Sequence, residues 1–225
     1  MSARTIAIGD IHGCSKALKA LLSAIAPTRE DTIVTLGDYV NRGDDSRGVI
    51  DRLIALQDQC QLVPILGNHD QLFLECLTGH LAMKSVWMRM GGDATLASYG
   101  TKRDFGVVPK PHAAFFKNCR RCHETQTHIF VHANYDPRLP MDHQRAEILR
   151  WESLRDTMPG PHFSGKTVIA GHTSQKNGEI LDRGYLKCID TYCFGGGWLT
   201  ALDVHNGDVW QFNLEGKARA ARKAK

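Results

Sequence analysis

The stretch TIAIGDIHG, residues 5–13, joins a short apolar run to a glycine-flanked turn that carries an acid and a histidine. Two further stretches, TIVTLGDYVNRG (residues 32–43) and LVPILGNHD (residues 62–70), repeat this arrangement. Short β-branched runs that stop at glycine are typical of buried parallel strands with turns at their carboxyl ends. Because ligands of open α/β sheets bind outside those ends, we expect the polar side chains of the three turns to line one rim.

Two later stretches also place a histidine directly after an apolar strand. They are IFVHAN, residues 129–134, and VIAGHT, residues 168–173. Carboxylate and carbonyl oxygens suit hard divalent ions, whereas imidazole suits Zn, Fe, Mn and similar metals. One Asp-x-His pair would mean little, because such pairs are common on surfaces. Five polar strand ends in one chain indicate a shared metal site.

The ordered motifs GDIHG, GDYVNRG, GNHD, VHAN and GHT resemble those of the phosphoprotein-phosphatase branch of the calcineurin-like metallophosphoesterases. The resemblance runs from Arg4 to about Phe212. The chain is most similar to the compact bacterial and phage serine/threonine phosphatases and to symmetrical diadenosine-tetraphosphate hydrolases. This resemblance implies a four-layer α/β/β/α sandwich, in which two mixed sheets pack face to face between helices.

The resemblance also implies two divalent metal ions, with Mn expected first and Fe, Zn or Co as alternatives. The implied ligands are Asp10, His12 and Asp38 for the first ion, and Asp38, Asn68, His132 and His172 for the second. Asp38 would therefore bridge the pair. Two metals about 3.5–4 Å apart can clamp a phosphoryl group and lower the pKa of a bridging water. The resulting hydroxide would attack phosphorus in line, without a covalent enzyme intermediate.

Three further residues receive catalytic or phosphate-binding roles from the resemblance. Arg42 would grip the phosphate oxygens through its planar guanidinium, and Asn68 would contact the phosphate as well. His69 would protonate the leaving oxygen as general acid. The family often has a second phosphate-binding arginine after its fourth motif. Arg150 and Arg155 both flank Trp151 there, although neither has the spacing that the family pattern implies. We favour Arg150 for that role, and an ordinary surface arginine is the alternative for either residue.

Asn41 is the main departure from the family pattern, which usually reads GDYVDRG. The aspartate at that position pairs with the histidine that corresponds to His69. An amide can orient His69, but it cannot stabilise the imidazolium with a negative charge. In the serine-protease triad, the corresponding Asp-to-Asn exchange lowers turnover by about 10⁴. We therefore expect an attenuated enzyme. Asp70 replaces a usual glutamate, and we assign it no role as a metal ligand.

Helical periodicity follows the first two motifs, which predicts helices over residues 15–25 and 46–56 and a third that opens at His69. Strand, helix, strand, helix, strand at this spacing is typical of a parallel βαβαβ unit. From about residue 78 to about residue 127 the alternation breaks. We expect a helical cap insert there, which overhangs the metal rim and influences substrate choice. Its aromatic and methionine cluster around Trp87 is expected to be core.

The last third of the chain is expected to form the second sheet of the sandwich. Its predicted strands are residues 186–191, 198–204 and 209–212, with Asn206-Gly207 as a hairpin turn. We expect one metallophosphoesterase domain over residues 1–215. A basic, flexible tail would follow over residues 216–225.

Composition limits the classes of partner. The net charge is +4, but residues 216–225 alone carry +5, so the remainder carries 4 − 5 = −1. A near-neutral body argues against a nucleic-acid-binding face. No stretch approaches the eighteen or so apolar residues that a membrane span requires. Seven cysteines in a chain that shows no export signal favour reduced thiols, and the cytoplasm is the expected location.

Two other motifs match in letters and fail in context. GPHFSGKT, residues 160–167, has Walker A spacing, but prolines precede it and a β-rich run follows, whereas a P-loop needs a strand before and a helix after. CRRCH, residues 119–123, spells a haem-attachment signature without an export signal. With His128 it could hold a structural Zn, but we expect ordinary side chains at these positions.

The expected activity is metal-dependent hydrolysis of a phosphomonoester, with phosphoserine or phosphothreonine in proteins as the first substrate class. Hydrolysis of diadenosine tetraphosphate or another small phosphoester is the alternative within the same chemistry. A weakened phosphate-binding module, left by Asn41, is the alternative from another class.

Overall fold

The first sheet gathers the strands that lead into the first three motifs. The computed structural model describes residues 3–220. Strands β1 (Thr5–Ile8), β2 (Thr32–Thr35) and β3 (Gln61–Pro64) are parallel, and Ala7 pairs with Val34, which pairs with Val63. The chain returns late to this sheet. Strand β9 (Leu199–Asp203) lies antiparallel to β1, and β10 (Val209–Phe212) lies antiparallel to β9.

The second sheet has the order β4-β5-β6-β8-β7. Its strands are β4 (Cys122–Glu124), β5 (His128–Val131), β6 (Thr167–Ala170), β7 (Leu181–Asp182) and β8 (Leu186–Cys188). Strands β5, β6 and β8 are parallel, whereas β4 and β7 are antiparallel edge strands. Both sheets are therefore mixed, as expected.

Three apolar clusters define the layers. The cluster between the sheets comprises Ala7, Val34, Leu36, Val63, Ile65, Phe130, Ile169, Ile189 and Leu202. Helices α1 (Ser15–Ile25), α2 (Ser46–Leu56) and α3 (Asn68–Leu77) cover the outer face of the first sheet. Leu149 of α7 (Ala146–Trp151) packs against the outer face of the second sheet with Ile129 and Val168. The α/β/β/α prediction is confirmed.

The assignment of the last strands to the second sheet is wrong in part. Strand β8 joins that sheet, but β9 and β10 extend the first sheet beside β1. Every residue of β9 is buried, so this strand belongs in the interior of a sheet, and the free edge of β1 provides that place. The hairpin at Asn206-Gly207 forms as predicted, with the Asp203 N–H donating to Asp208 O at 2.9 Å.

The insert is helical only as far as residue 117. It contains α4 (Lys84–Trp87), a π-helical turn (Met88–Gly92), α5 (Asp93–Ser98), a 3₁₀ turn (Phe105–Val107) and α6 (Lys110–Lys117). The last part of the predicted insert instead supplies the edge strand β4. Trp87 is fully buried and stacks on Phe73 at 5.2 Å between ring centroids, so its cluster is core.

The predicted flexible tail begins inside the folded part of the chain. Ala218 bridges to Phe212, and the Arg219 guanidinium donates to Gly178 O at 2.7 Å and forms an ion pair with Glu179 at 2.5 Å. Ala218 therefore contacts β10 of the first sheet, and Arg219 contacts the segment before β7. The rest of the predicted tail, residues 221–225, lies outside the described residues. No helix within residues 3–220 has the length and apolarity needed to cross a bilayer.

Candidate metal centre and cleft

The turns after the strands hold an unusual backbone. Six of the seven non-glycine residues with positive φ in the described chain lie at this rim: His12, Asp38, Asn41, Arg42, His172 and Tyr192. Residues other than glycine rarely adopt this left-handed backbone conformation, which costs free energy. Such strain persists only where the surrounding fold holds the residue in place, and it is concentrated at functional sites. The strained turns direct these polar side chains to one place.

Two of the predicted histidine ligands have a fixed tautomer. The Nδ1–H of His12 donates to Val40 O at 2.9 Å, and the Nδ1–H of His132 donates to Leu36 O at 2.8 Å. Each carbonyl keeps the ring proton on Nδ1 and leaves Nε2 with a free lone pair. Such backbone carbonyl partners are typical of metal-binding histidines.

Asp38 lies between two groups of donor atoms. One group is His12, Asp38 and His69, and the other is Asp38, His132 and His172, with the donor atoms of each group within 4.8 Å of one another. Asp38 Oδ2 is 3.5 Å from His12 Nε2, whereas Asp38 Oδ1 is 3.6 Å from His132 Nε2. The carboxylate thus presents one oxygen to each group, which suits a bridging ligand.

Asn68 and Asp10 join the two groups in different ways. Asn68 Oδ1 lies 3.0 Å from His132 Nε2 and 3.1 Å from His172 Nδ1, within the second group. Asp10 belongs to neither group, and both of its oxygens lie 3.0 Å from the backbone N–H of His172, which donates to them. All six predicted ligands therefore meet at the rim, and Asp10 lies at its margin.

Burial sets the electrostatics of the site. It raises the pKa of Asp38 to about 7, and it raises the pKa of Asp10, to which the charges of Asp190 and Asp38 also contribute. Burial also lowers the pKa of His132 to about 4 and that of His172 to about 3. The histidines are thus neutral donors at neutral pH, and a bound cation would favour the charged form of the buried carboxylates, as the nearby charge of Arg42 already does. Carboxylate, amide and imidazole donors in this state fit divalent transition ions.

Asp70 organises the second motif. Its carboxylate accepts the backbone N–H of Asp38 at 2.7 Å, of Tyr39 at 2.9 Å and of Gly67 at 3.1 Å. Asp70 is fully buried in the first turn of α3. From the sequence we predicted only that Asp70 is not a metal ligand. Its position three residues after Gly67, at the start of a helix, was the available signal for a capping carboxylate.

Asn41 contacts His69, as the family pattern implies for this position. Its Nδ2 lies 2.9 Å from His69 Nδ1 and 3.4 Å from Met90 O, and its Oδ1 accepts the Thr95 hydroxyl at 3.0 Å. The Thr95 hydroxyl in turn accepts the Asn41 backbone N–H at 2.8 Å. These partners turn the amide donor toward His69. The neutral ring therefore accepts at Nδ1 and carries its proton on Nε2.

Arg42 points its guanidinium into the cleft. One terminal nitrogen donates to His12 Nε2 at 3.2 Å, and the other lies 3.2 Å from His69 Nε2, which carries the ring proton and does not accept. The π-helical turn of the insert closes against its backbone, where the Arg42 N–H donates to Gly91 O at 3.2 Å. A Cβ at Gly91 would lie 2.8 Å from Arg42 N, so this approach requires glycine. The insert therefore forms one wall of the site.

A cleft of about 460 Å³ opens above the metal centre. Its lining beyond the predicted site residues comprises Met90, Arg155, Ser174, Lys176, Tyr192 and Phe194. The arginine after His132 that reaches this cleft is Arg155, whose guanidinium donates to Ser174 O. Arg150, which we predicted, donates instead to Gln71 Oε1 at 3.1 Å and does not line the cleft.

Asp190 is a buried carboxylate beside the site that sequence reasoning missed. It accepts the Ser174 hydroxyl at 2.6 Å and the Tyr192 N–H at 3.0 Å, and so ties two cleft walls together. It follows the apolar end of β8 just as Asp10 and Asp38 follow β1 and β2. That shared pattern, an acid directly after a buried strand, could have identified it.

The residues of the two alternative motifs lie on ordinary strands and loops. Cys122 and His123 lie on β4, and the groups within residues 3–220 that could hold a metal ion are the two around Asp38. His123 and His128 both pack on Phe130, with ring centroids 5.8 Å and 6.2 Å away. Strand β6 begins at Thr167, where a P-loop would need a helix.

Comparisons with known proteins show which family the chain resembles. The family model described as calcineurin-like phosphoesterase matches residues 3–195. Serine/threonine-protein phosphatase 1 of Salmonella typhimurium is 26% identical over 204 residues, which cover 88% of this chain and 90% of that protein. The symmetrical bis(5'-nucleosyl)-tetraphosphatase of Nitrosospira multiformis is 26% identical over 262 residues, covering 91% and 94% respectively.

The solved structures support the fold. The crystal structure of a candidate diadenosine tetraphosphatase superposes with a TM-score of 0.69 at 24% identity, and the match covers 94% of this chain and 93% of that one. At this level of identity the likeness concerns the arrangement of the two sheets and their helices.

Proposed function

Since the chain belongs to the calcineurin-like phosphoesterase family and is a hydrolase of phosphoric esters, we propose that it removes phosphate from phosphoserine and phosphothreonine in proteins. The observation that carries the proposed chemistry is the position of Asp38, with one oxygen toward each of two donor groups. A serine/threonine phosphatase relative that spans nearly the whole chain supports the substrate class.

Two divalent ions, with Mn as the first choice, would be held by the residues at the rim. His12, Asp38 and Asp10 would bind the first ion, and Asp38, Asn68, His132 and His172 would bind the second. When bound, such a pair supplies Lewis acidity and an activated water as the nucleophile. The neutral histidines and the buried carboxylates of this chain favour that loading.

The chain's own residues would bind and orient the phosphate. Arg42 presents a planar fork of donors to two phosphate oxygens, and the amide of Asn68 provides a further contact. Arg155 replaces Arg150 in our assignment of the second arginine, because it lines the cleft. These residues surround the space above Asp38, so the phosphate would lie over the metal centre.

His69 would give its Nε2 proton to the leaving oxygen. The amide of Asn41 donates to Nδ1 and therefore opposes a second proton on the ring. A neutral imidazole is a much weaker acid than an imidazolium, so transfer from Nε2 would be slow. We propose that Asn41 attenuates the enzyme in two ways: its amide N–H opposes protonation of His69 Nδ1, and it provides no negative charge to stabilise the imidazolium.

A dinucleoside tetraphosphate is the second candidate substrate. Lys176 and Arg155 add two exposed cations to the cleft beyond Arg42, and Tyr192 adds an aromatic face. A chain of several phosphates that carries a base would use all of these groups. The Nitrosospira multiformis relative favours the same class.

Turnover by the Mn-loaded protein tests the proposal. A phosphoserine peptide, diadenosine tetraphosphate and p-nitrophenyl phosphate would be compared, with Asp38→Asn as the inactive reference and Asp44→Asn as a matched control. We expect the phosphopeptide to have the highest kcat/KM. A higher value for diadenosine tetraphosphate would favour the second candidate. Metal-loaded protein without turnover of any of the three would contradict both candidates.

A further inference from the structure

Phe194 lies directly under the guanidinium of Arg42, and the proposed chemistry leaves it without a role. The Arg42 Cζ is 4.2 Å from the centroid of the Phe194 ring. The ring also meets the edge of His12, with centroids 4.9 Å apart and planes at 80°. It lies on a 3₁₀ turn, Cys193–Gly195, between β8 and β9. Phe194 therefore joins a late segment of the chain to the first two motifs.

Arg42 has few other means of holding its orientation. Its side chain is exposed, and it makes no direct ion pair with a carboxylate in the described part of the chain. Within residues 3–220 its side chain donates to one acceptor, His12 Nε2, and that nitrogen is itself a proposed metal ligand. The contact with Phe194 is independent of that ligand. A flat aromatic ring also matches the flat guanidinium, and it attracts the positive charge through its face.

The turn that carries Phe194 is itself firmly built. Tyr192 has a left-handed backbone with φ of 66°, and its N–H donates to the buried Asp190 carboxylate at 3.0 Å. The Tyr192 ring meets the Phe194 ring at 4.7 Å between centroids. A Cβ at Gly195 would lie 2.0 Å from the Tyr192 ring, so only glycine permits this packing. The Phe194 ring is thus held in place by its own turn, independently of its contact with Arg42.

We propose that Phe194 is a positioning residue that holds the guanidinium plane of Arg42 ready for the phosphate of the substrate. This inference rests on the proposed role of Arg42 in phosphate binding. Loss of the ring would leave Arg42 charged but free to rotate, so the cost would appear in phosphate affinity. A cation–π contact of this exposure corresponds to about a 2- to 5-fold change in binding.

A double-mutant cycle tests the coupling. The single variants are Phe194→Leu, which keeps the apolar volume without the aromatic face, and Arg42→Ala. We expect Phe194→Leu to raise KM for a phosphoester by about 2- to 5-fold with kcat nearly unchanged. In the Arg42→Ala background the same change should have little further effect. Phe194→Trp, which keeps an aromatic face, should have the KM of the original protein. Phe163→Leu changes an exposed residue away from the cleft and should not alter KM.

Binding of inorganic phosphate to the Mn-loaded protein, measured by calorimetry, gives a readout that does not require turnover. It therefore separates failure of this inference from failure of the proposed activity. Metal content and Tm of each variant show whether the site and the fold remain intact. If Phe194→Leu lowered phosphate affinity equally in the original protein and in the Arg42→Ala variant, the inference would be overturned, because Phe194 would then contact the substrate itself. No change in phosphate affinity, or a loss of bound metal, would also overturn it.

Discussion

Replacing Asn41 with aspartate should speed the reaction, and the structure indicates by how much. The present amide donates to His69 Nδ1 at 2.9 Å, so it stabilises the ring without a proton there. A carboxylate in the same place would accept an Nδ1–H, while the Thr95 hydroxyl would still donate to its other oxygen. The imidazolium form of His69, which is the stronger acid toward the leaving oxygen, would then be favoured.

The size of the gain follows from one charge-assisted hydrogen bond. Such a bond contributes about 1.5–3 kcal/mol, and each 1.4 kcal/mol corresponds to a factor of about ten in rate. Asn41→Asp should therefore raise kcat by about 10- to 100-fold. The 10⁴-fold effect of the related exchange in the serine-protease triad is an upper bound, since there the histidine carries the whole proton transfer.

The leaving group makes the assay specific. The alkoxide of phosphoserine needs protonation, whereas p-nitrophenolate leaves readily without an acid. Asn41→Asp should thus accelerate the phosphopeptide much more than p-nitrophenyl phosphate, at equal metal content. Asn41→Ala serves as the control that removes the amide without adding charge. An Asn41→Asp protein with full metal content and an unchanged rate on the phosphopeptide would refute our reading of this pair.

Three further changes test other parts of the site and fold. Asp70→Asn should lower the free energy of unfolding by about 2–4 kcal/mol, measured by denaturant titration, because three buried N–H groups lose a charged acceptor; a stable variant with full metal content would contradict its organising role. Arg155→Ala should raise KM by about 10-fold while Arg150→Ala should not, and the reverse result would restore the prediction made from the sequence. Hydrogen bonds from Arg4 hold the pKa of Asp31 below its usual 3.8. The Asp31 carboxylate therefore stabilises the fold fully above about pH 4, and this stabilisation is lost as the pH falls through the lowered pKa. Asp31→Asn should lower the free energy of unfolding by about 1–2 kcal/mol at neutral pH and leave it unchanged in strong acid. An equal decrease at both pH values would exclude the ion pair as the cause.

The rim of the site could be predicted because each of its motifs is local. Asp10, Asp38 and Asn68 all follow a short apolar strand that ends at glycine, so strand pattern and turn chemistry place them without any knowledge of distant contacts. The parallel order of β1, β2 and β3 follows from the helices between them. These are features that a few neighbouring residues determine.

The neighbouring residues in the sequence do not determine which arginine lies at the phosphate site. Arg150 and Arg155 flank the same tryptophan in sequence, and only the end of α7 at Trp151 decides which one turns to the cleft. The return of β9 to β1 is likewise a contact between the two ends of the domain. Phe194 escaped notice for the same reason, since its partner Arg42 lies 152 positions earlier.

Crystals of the Mn-loaded protein with phosphate, measured at the manganese absorption edge, test the central claim most directly. We expect two anomalous peaks, about 3.5–4 Å apart, with the Asp38 carboxylate between them. A single peak, or two peaks that do not share Asp38, would contradict the two-metal account of this site.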